Sequence, residues 1–192
     1  EALVFFEKAA RALHAAHEAG VVHRDVKPGN IMVSTDGSPV ILDFGLARGD
    51  GEEDGRLARR GEVLGTPAYN SPEQLESGKN VDRRTDVYSL GVVLYECLTL
   101  ERPFQGDTTG ALADAIRRSP MPSPLRANPA LPNDLAIVLE TALEKDVARR
   151  YATALEFAEE LRRVREYEPI RARPAGPLLK LTRWSQRNPV LA

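Results

Sequence analysis

Residues 86 to 99 are apolar on nearly every side of a helix, with Val87, Leu90, Val92, Val93, Leu94, Cys97 and Leu98 spread around its axis. A helix without a wide polar face is stable only when protein surrounds it. This stretch is therefore expected to be the central pillar of a helical domain, and other segments must supply its cover. Leu3, Phe6, Ala10 and Leu13 recur at helical spacing, which predicts an amphipathic helix over 2–18. Gly20 stands just past its end, where a left-handed cap favours glycine. Further helices are expected at 108–118, 133–145 and 153–166, the last with Ala154, Phe157, Ala158, Leu161 and Val164 on one face. The β-type runs 31–33 and 40–42 flank Ser34-Thr35-Asp36-Gly37-Ser38-Pro39, which is turn chemistry. The expected fold class is mainly α with one small β-hairpin.

The 192 residues suit one domain with a tail, and a 42% hydrophobic fraction suffices for a real core. No window is long and apolar enough to span a bilayer. Glu7, Lys8 and Arg11 interrupt the first apolar run, so it does not read as a signal peptide. The net charge of -2 gives no reason to expect a nucleic-acid partner. The single cysteine, Cys97, excludes an intrachain disulfide and fits a reducing compartment. The chain has no initiator Met and reads as a piece of something longer.

Chemistry concentrates around the hairpin. If its strands pair antiparallel, Asn30 and Asp43 at their open ends become neighbours. Both offer hard oxygen ligands, which suit Mg²⁺ bound together with nucleotide phosphates. Asp25 lies five residues before Asn30 in the same loop, so its carboxylate can face the same pocket. His23 is tempting as a general base but reads better as a packed structural histidine behind the loop. His14 and His17 are expected on the surface or core edge of the first helix.

The run His23-Arg24-Asp25-Val26-Lys27-Pro28-Gly29-Asn30 is followed in order by Asp43-Phe44-Gly45 and Ser71-Pro72-Glu73. Together these resemble the catalytic loop, metal-binding triplet and activation-segment end of eukaryotic-type protein kinases of bacterial type. The resemblance covers about residues 1–166. It implies the large, C-terminal lobe of a kinase over 1–168, with a basic tail over 169–192. It implies Asp25 as the base that orients the substrate hydroxyl, Lys27 as a cation at the transferred phosphate, and Asn30 and Asp43 as metal ligands. Met32 would be the apolar floor beneath the adenine of ATP, or else a core methionine. Lys27, with Thr66 in Gly65-Thr66-Pro67, resembles serine/threonine kinases, and Thr66 is expected to hydrogen-bond near Asp25 and Lys27. Asp86 would accept backbone N–H bonds from the catalytic loop, and Glu73 would pair with Arg150.

The chain also departs from the family pattern. No Gly-rich loop, strand lysine or partner glutamate for the nucleotide phosphates is present, so the polypeptide alone is expected to bind ATP poorly and to have little activity. Leu57 to Leu64 offers no hydroxyl for phosphorylation, and Glu62 stands three residues before Gly65. A fixed ion pair between Glu62 and Arg24 would replace the phosphate contact. Asn70 stands where an apolar residue is usual, and Gly29 where some basic-directed kinases have glutamate.

Residues 171 to 192 hold five cations and no acid, with Leu178, Leu181 and Trp184 at helical spacing. This suits an anionic membrane surface and resembles the juxtamembrane segment of membrane-anchored bacterial kinases. It places the expected protein in the cytoplasm, at the inner face of the plasma membrane through a downstream anchor. The functional expectation is ATP- and Mg²⁺-dependent phosphorylation of Ser/Thr hydroxyls on protein substrates. The rival is a pseudokinase-like docking module without catalysis, against which an intact Asp25, Lys27, Asn30 and Asp43 argue.

Overall fold

The computed structural model describes residues 1–44, 67–76 and 81–172. Among these residues the architecture is mostly helical with one two-stranded sheet. Its first helix, α1, spans Ala2–Glu18 and buries Phe6, Ala9, Ala10 and Leu13, the stripe its spacing predicts. Gly20 ends it at φ 80, with its N–H on the His17 carbonyl and the Val21 N–H on that of Ala16. Those two bonds form a Schellman cap, a geometry that glycine enters without a Cβ penalty.

The hairpin strands are β1, Ile31–Val33, and β2, Pro39–Ile41, paired antiparallel as Ile31 with Ile41, Met32 with Val40 and Val33 with Pro39. Ile31 and Ile41 face the core, whereas Met32 and Val40 share the opposite, exposed face. Met32 is 55% exposed, so the alternative of a core methionine is excluded. The second strand begins and ends one residue earlier than the sequence pattern suggests. The Ser34 N–H to Ser38 carbonyl bond closes the turn and draws Pro39 into the ladder.

The central pillar is α2, Arg84–Thr99, buried without interruption from Thr85 to Tyr95. Helices α3, Thr109–Arg118, α4, Pro124–Ala127, α5, Asn133–Ala142, and α6, Ala154–Arg165, follow it. The short α4 was not visible as a helical period. Thr108 and Thr153 cap α3 and α6 by accepting the N–H of Ala111 and Glu156. Helices α1, α5 and α6 pack against α2, and α6 lies along α1. Partly buried ion pairs trim that α1–α6 seam, Arg11 to Glu159 at 2.6 Å and Arg165 to Glu7 at 3.1 Å. Their contribution is small beside the apolar burial of Leu13, Leu90, Phe157 and Leu161 beneath them. Among the described residues no helix is long and apolar enough to cross a membrane.

Candidate active site

The site starts from one buried carboxylate. Asp86, in the first turn of α2, is fully buried and accepts three hydrogen bonds. Its Oδ2 takes the His23 N–H at 2.8 Å and faces His17 Nε2 at 2.7 Å, and its Oδ1 takes the Arg24 N–H at 2.8 Å. A buried charge is tolerable with partners of this kind. The bonds fasten the start of the loop to the pillar while Arg24 adopts a left-handed φ of 65. His17 is thus buried on the core side of α1. Its place four residues after Leu13, in the apolar stripe, is the signal that sequence reading could have used.

His23 is buried behind the loop against the Phe44 ring, with centroids 4.9 Å apart. Its Nδ1 accepts the Asp25 N–H at 3.2 Å, which leaves Nε2 to donate to the Leu42 carbonyl at 2.7 Å. One tautomer satisfies both contacts. Both ring nitrogens are therefore committed to backbone, which argues against a proton-shuttling role.

Asp25 itself is exposed, but one of its oxygens is held. Oδ2 accepts from Lys27 Nζ at 2.7 Å and from Asn30 Nδ2 at 3.1 Å. Oδ1 takes no bond among the described residues. Asn30 Nδ2 also donates to the Asp25 carbonyl at 2.8 Å. With two acceptors on that side, the amide nitrogen must face Asp25. The Asn30 side-chain oxygen, Oδ1, is then the atom left for a ligand. Residues Pro28–Asn30 form a single 3₁₀ turn, with proline at its start, and that turn folds Asn30 back beneath Asp25.

The hairpin sets Asp43 one position differently from the simplest register. Asn30 pairs with Leu42, whose N–H donates to the Asn30 carbonyl at 2.9 Å while its own carbonyl takes the His23 bond. Asp43 follows immediately at a left-handed φ of 56, which aspartate tolerates better than most residues. Its carboxylate is exposed and takes no bond among the described residues. An amide oxygen and a carboxylate are both hard donors of the kind that suits Mg²⁺ shared with phosphates. Among the described residues there is no cluster of three or more His, Cys, Asp or Glu of metal-ligating geometry. A metal held jointly with nucleotide phosphates does not require one.

The segment 67–76 is seated on α2. Tyr69 Oη donates to Glu96 at 2.7 Å, and burial together with that carboxylate pushes the phenol up to about 12. Ser89 Oγ donates to the Tyr69 carbonyl at 2.7 Å, and the Ser71 and Thr85 hydroxyls meet at 2.6 Å. Glu73 and Arg150 form a buried bidentate pair at 2.7 and 3.1 Å. Arg150 also donates to the carbonyls of Arg84 and Glu144 and lies over the Tyr88 ring. Burial pushes the Glu73 carboxyl up, but the hydrogen bonds and charge of Arg150 outweigh it and hold the group below its ordinary value. Gln74, which carries no motif signal, also joins this segment to the loop. Gly45, Glu62 and Thr66 lie outside the described residues, as does the tail beyond Ala172.

The model of the protein kinase domain family matches residues 1–161. Serine/threonine-protein kinase PknB of Mycobacterium tuberculosis is 44% identical over 165 residues, covering 85% of this chain and 26% of that protein. PknB of Mycolicibacterium smegmatis is 43% identical over 166 residues, covering 86% of this chain and 26% of its own length. A probable serine/threonine-protein kinase of Clostridium perfringens is 41% identical over 160 residues, with coverages of 83% and 23%. The chain spans about a quarter of the length of the curated relatives it matches.

Proposed function

The chain belongs to the protein kinase domain family, and from that premise we propose that it supplies the catalytic and metal-holding loops of a protein serine/threonine kinase, in its large lobe. The activity belongs to the full-length protein, which would transfer the terminal phosphoryl group of ATP to Ser or Thr hydroxyls of protein substrates. The observation that carries this reading is the asymmetry of Asp25. One carboxylate oxygen is held by Lys27 and Asn30, and the other takes no bond among the described residues.

The open oxygen can accept the hydrogen bond of an incoming hydroxyl and orient its oxygen for attack. As the new O–P bond forms and the bond to the leaving diphosphate breaks, the hydroxyl proton passes to Asp25. Lys27, already 2.7 Å from Asp25, carries positive charge to the side where phosphate oxygens gather. Asn30 and Asp43 would hold Mg²⁺, which neutralises phosphate charge when bound. Met32 and Val40 offer an exposed apolar surface suited to an adenine face. Phe44 packs on His23, and with Gly45 it would complete the triplet begun by Asp43.

Replacing Asp25 with Asn in the full-length protein keeps its size but removes the base. It should lower kcat for protein phosphorylation by roughly 10²–10⁴-fold. Wild-type turnover in that variant would overturn the assignment. Absence of phosphotransfer in the wild type, with substrate binding retained, would favour the docking-module alternative.

Two narrower elements belong to the same proposal. Arg24 Nε is buried without a partner among the described residues, which supports its pairing with an acid such as Glu62. Unchanged activity in Glu62→Ala would remove that pairing. The basic composition of 171–192 supports attachment to an anionic membrane surface, and hence a cytoplasmic, membrane-facing location. A tail peptide that ignores anionic liposomes at low salt would remove that one.

A further inference from the structure

Gln74 touches the catalytic loop and the segment 67–76 at once. Its Oε1 accepts the Ser71 N–H at 3.0 Å, and its Nε2 donates to the Arg24 carbonyl at 2.7 Å. The amide orientation is dictated, because one end faces an N–H and the other a carbonyl. The Arg24 carbonyl belongs to the peptide that leads directly into Asp25. The N–H of that peptide, on Asp25, is held by His23 Nδ1 at 3.2 Å. The peptide plane is therefore gripped on both edges. It also follows a non-glycine residue at φ 65, a conformation that persists only when its surroundings enforce it.

We infer that Gln74 is a positioning residue for phosphoryl transfer: it fixes the plane of the Arg24–Asp25 peptide, and so couples the seating of the segment 67–76 to the direction of the Asp25 carboxylate. The inference rests on the kinase reading given above. When the segment is seated on α2, the Gln74 amide reaches the loop. When the segment lifts, the Arg24 carbonyl loses its donor and the exposed Asp25 side chain loses one of its backbone supports. Within the loop Asp86 takes the N–H groups of residues 23 and 24, so it does not restrain that peptide on its carbonyl edge.

Two substitutions in the full-length protein separate this role from simple packing. Gln74→Met keeps the length and removes both polar ends. It should lower kcat about tenfold, leave KM for ATP within about twofold, and speed hydrogen exchange at the Asp25 amide without speeding it in α2. Gln74→Glu keeps the acceptor for the Ser71 N–H but sets a second carboxylate oxygen against the Arg24 carbonyl. That oxygen can donate only when protonated. The ratio of Gln74→Glu to wild-type kcat should therefore rise as pH is lowered from about 7 to about 4.5, through the range where a glutamate carboxyl facing a carbonyl gains its proton, while the Gln74→Met ratio stays flat. Wild-type kcat in Gln74→Met, or a Gln74→Glu ratio independent of pH, would overturn the inference. Should Gln74→Met fail to fold, the pH course of Gln74→Glu decides alone. Asp25→Asn is the control: if it abolishes transfer while both Gln74 variants behave as wild type, only the inference falls. If the wild type transfers no phosphate, the kinase reading falls and takes the inference with it.

Discussion

At the scale of single residues, the site is organised by side chains that bind backbone. Asp86 is the clearest case. Changing it to Asn removes the charge and turns an NH₂ group toward donors that need an acceptor. The expected cost is about 2–4 kcal/mol, measured by chemical unfolding. A loss below about 0.5 kcal/mol would mean that the three bonds do not anchor the loop. The same chemistry explains what could be read from the residues. Asp25, Asn30 and Glu73 stood out because they sit in motifs of recognisable spacing, and Asp86 and Arg150 because the family resemblance implies their roles. His17 was legible in principle, from its place in the α1 stripe. Gln74 was not, because its partner is the carbonyl of Arg24, and a carbonyl is present at every residue and leaves no trace in a sequence.

At the scale of elements, periodicity located four of the five longer helices among the described residues to within a few residues, because each has one apolar face that must be covered, and the apolar run of α2 located the fifth. It missed α4, Pro124–Ala127, since a single turn started by a proline shows no repeat. It also shifted β2 by one position, because three-residue strands contain too few alternations to set a register. The close approach of α2 and α5 was marked only by a glycine inside an apolar helix. A Cβ at Gly91 would lie 3.1 Å from the Ala142 Cβ and 3.3 Å from Leu143 Cδ2. Gly91→Val should therefore overpack this seam, lowering stability by about 1–3 kcal/mol and reducing the melting temperature. An unchanged melting temperature would show that the two helices can separate without cost.

At the scale of the whole molecule, the Glu73–Arg150 pair links segments 77 residues apart. It fastens the stretch that carries Gln74 to the helical base, near the loop that joins α5 to α6. Its distance in sequence makes it costly to form, yet once formed it is buried and bidentate, with Arg150 also donating to two carbonyls. Removing one partner leaves a buried charge without its counter-ion. Glu73→Gln should accordingly cost about 3–5 kcal/mol near neutral pH. The sign of the pH dependence follows from the lowered carboxyl. Because the folded value lies below the ordinary 4.5, the pair contributes its full stability above that pH. That contribution is lost as acid protonates Glu73 through its folded value. Melting temperatures of wild type and Glu73→Gln should therefore differ most near neutrality and converge on acidification. Curves that stay parallel down to the acid limit would show that the ionised pair does not tie the segment to the base.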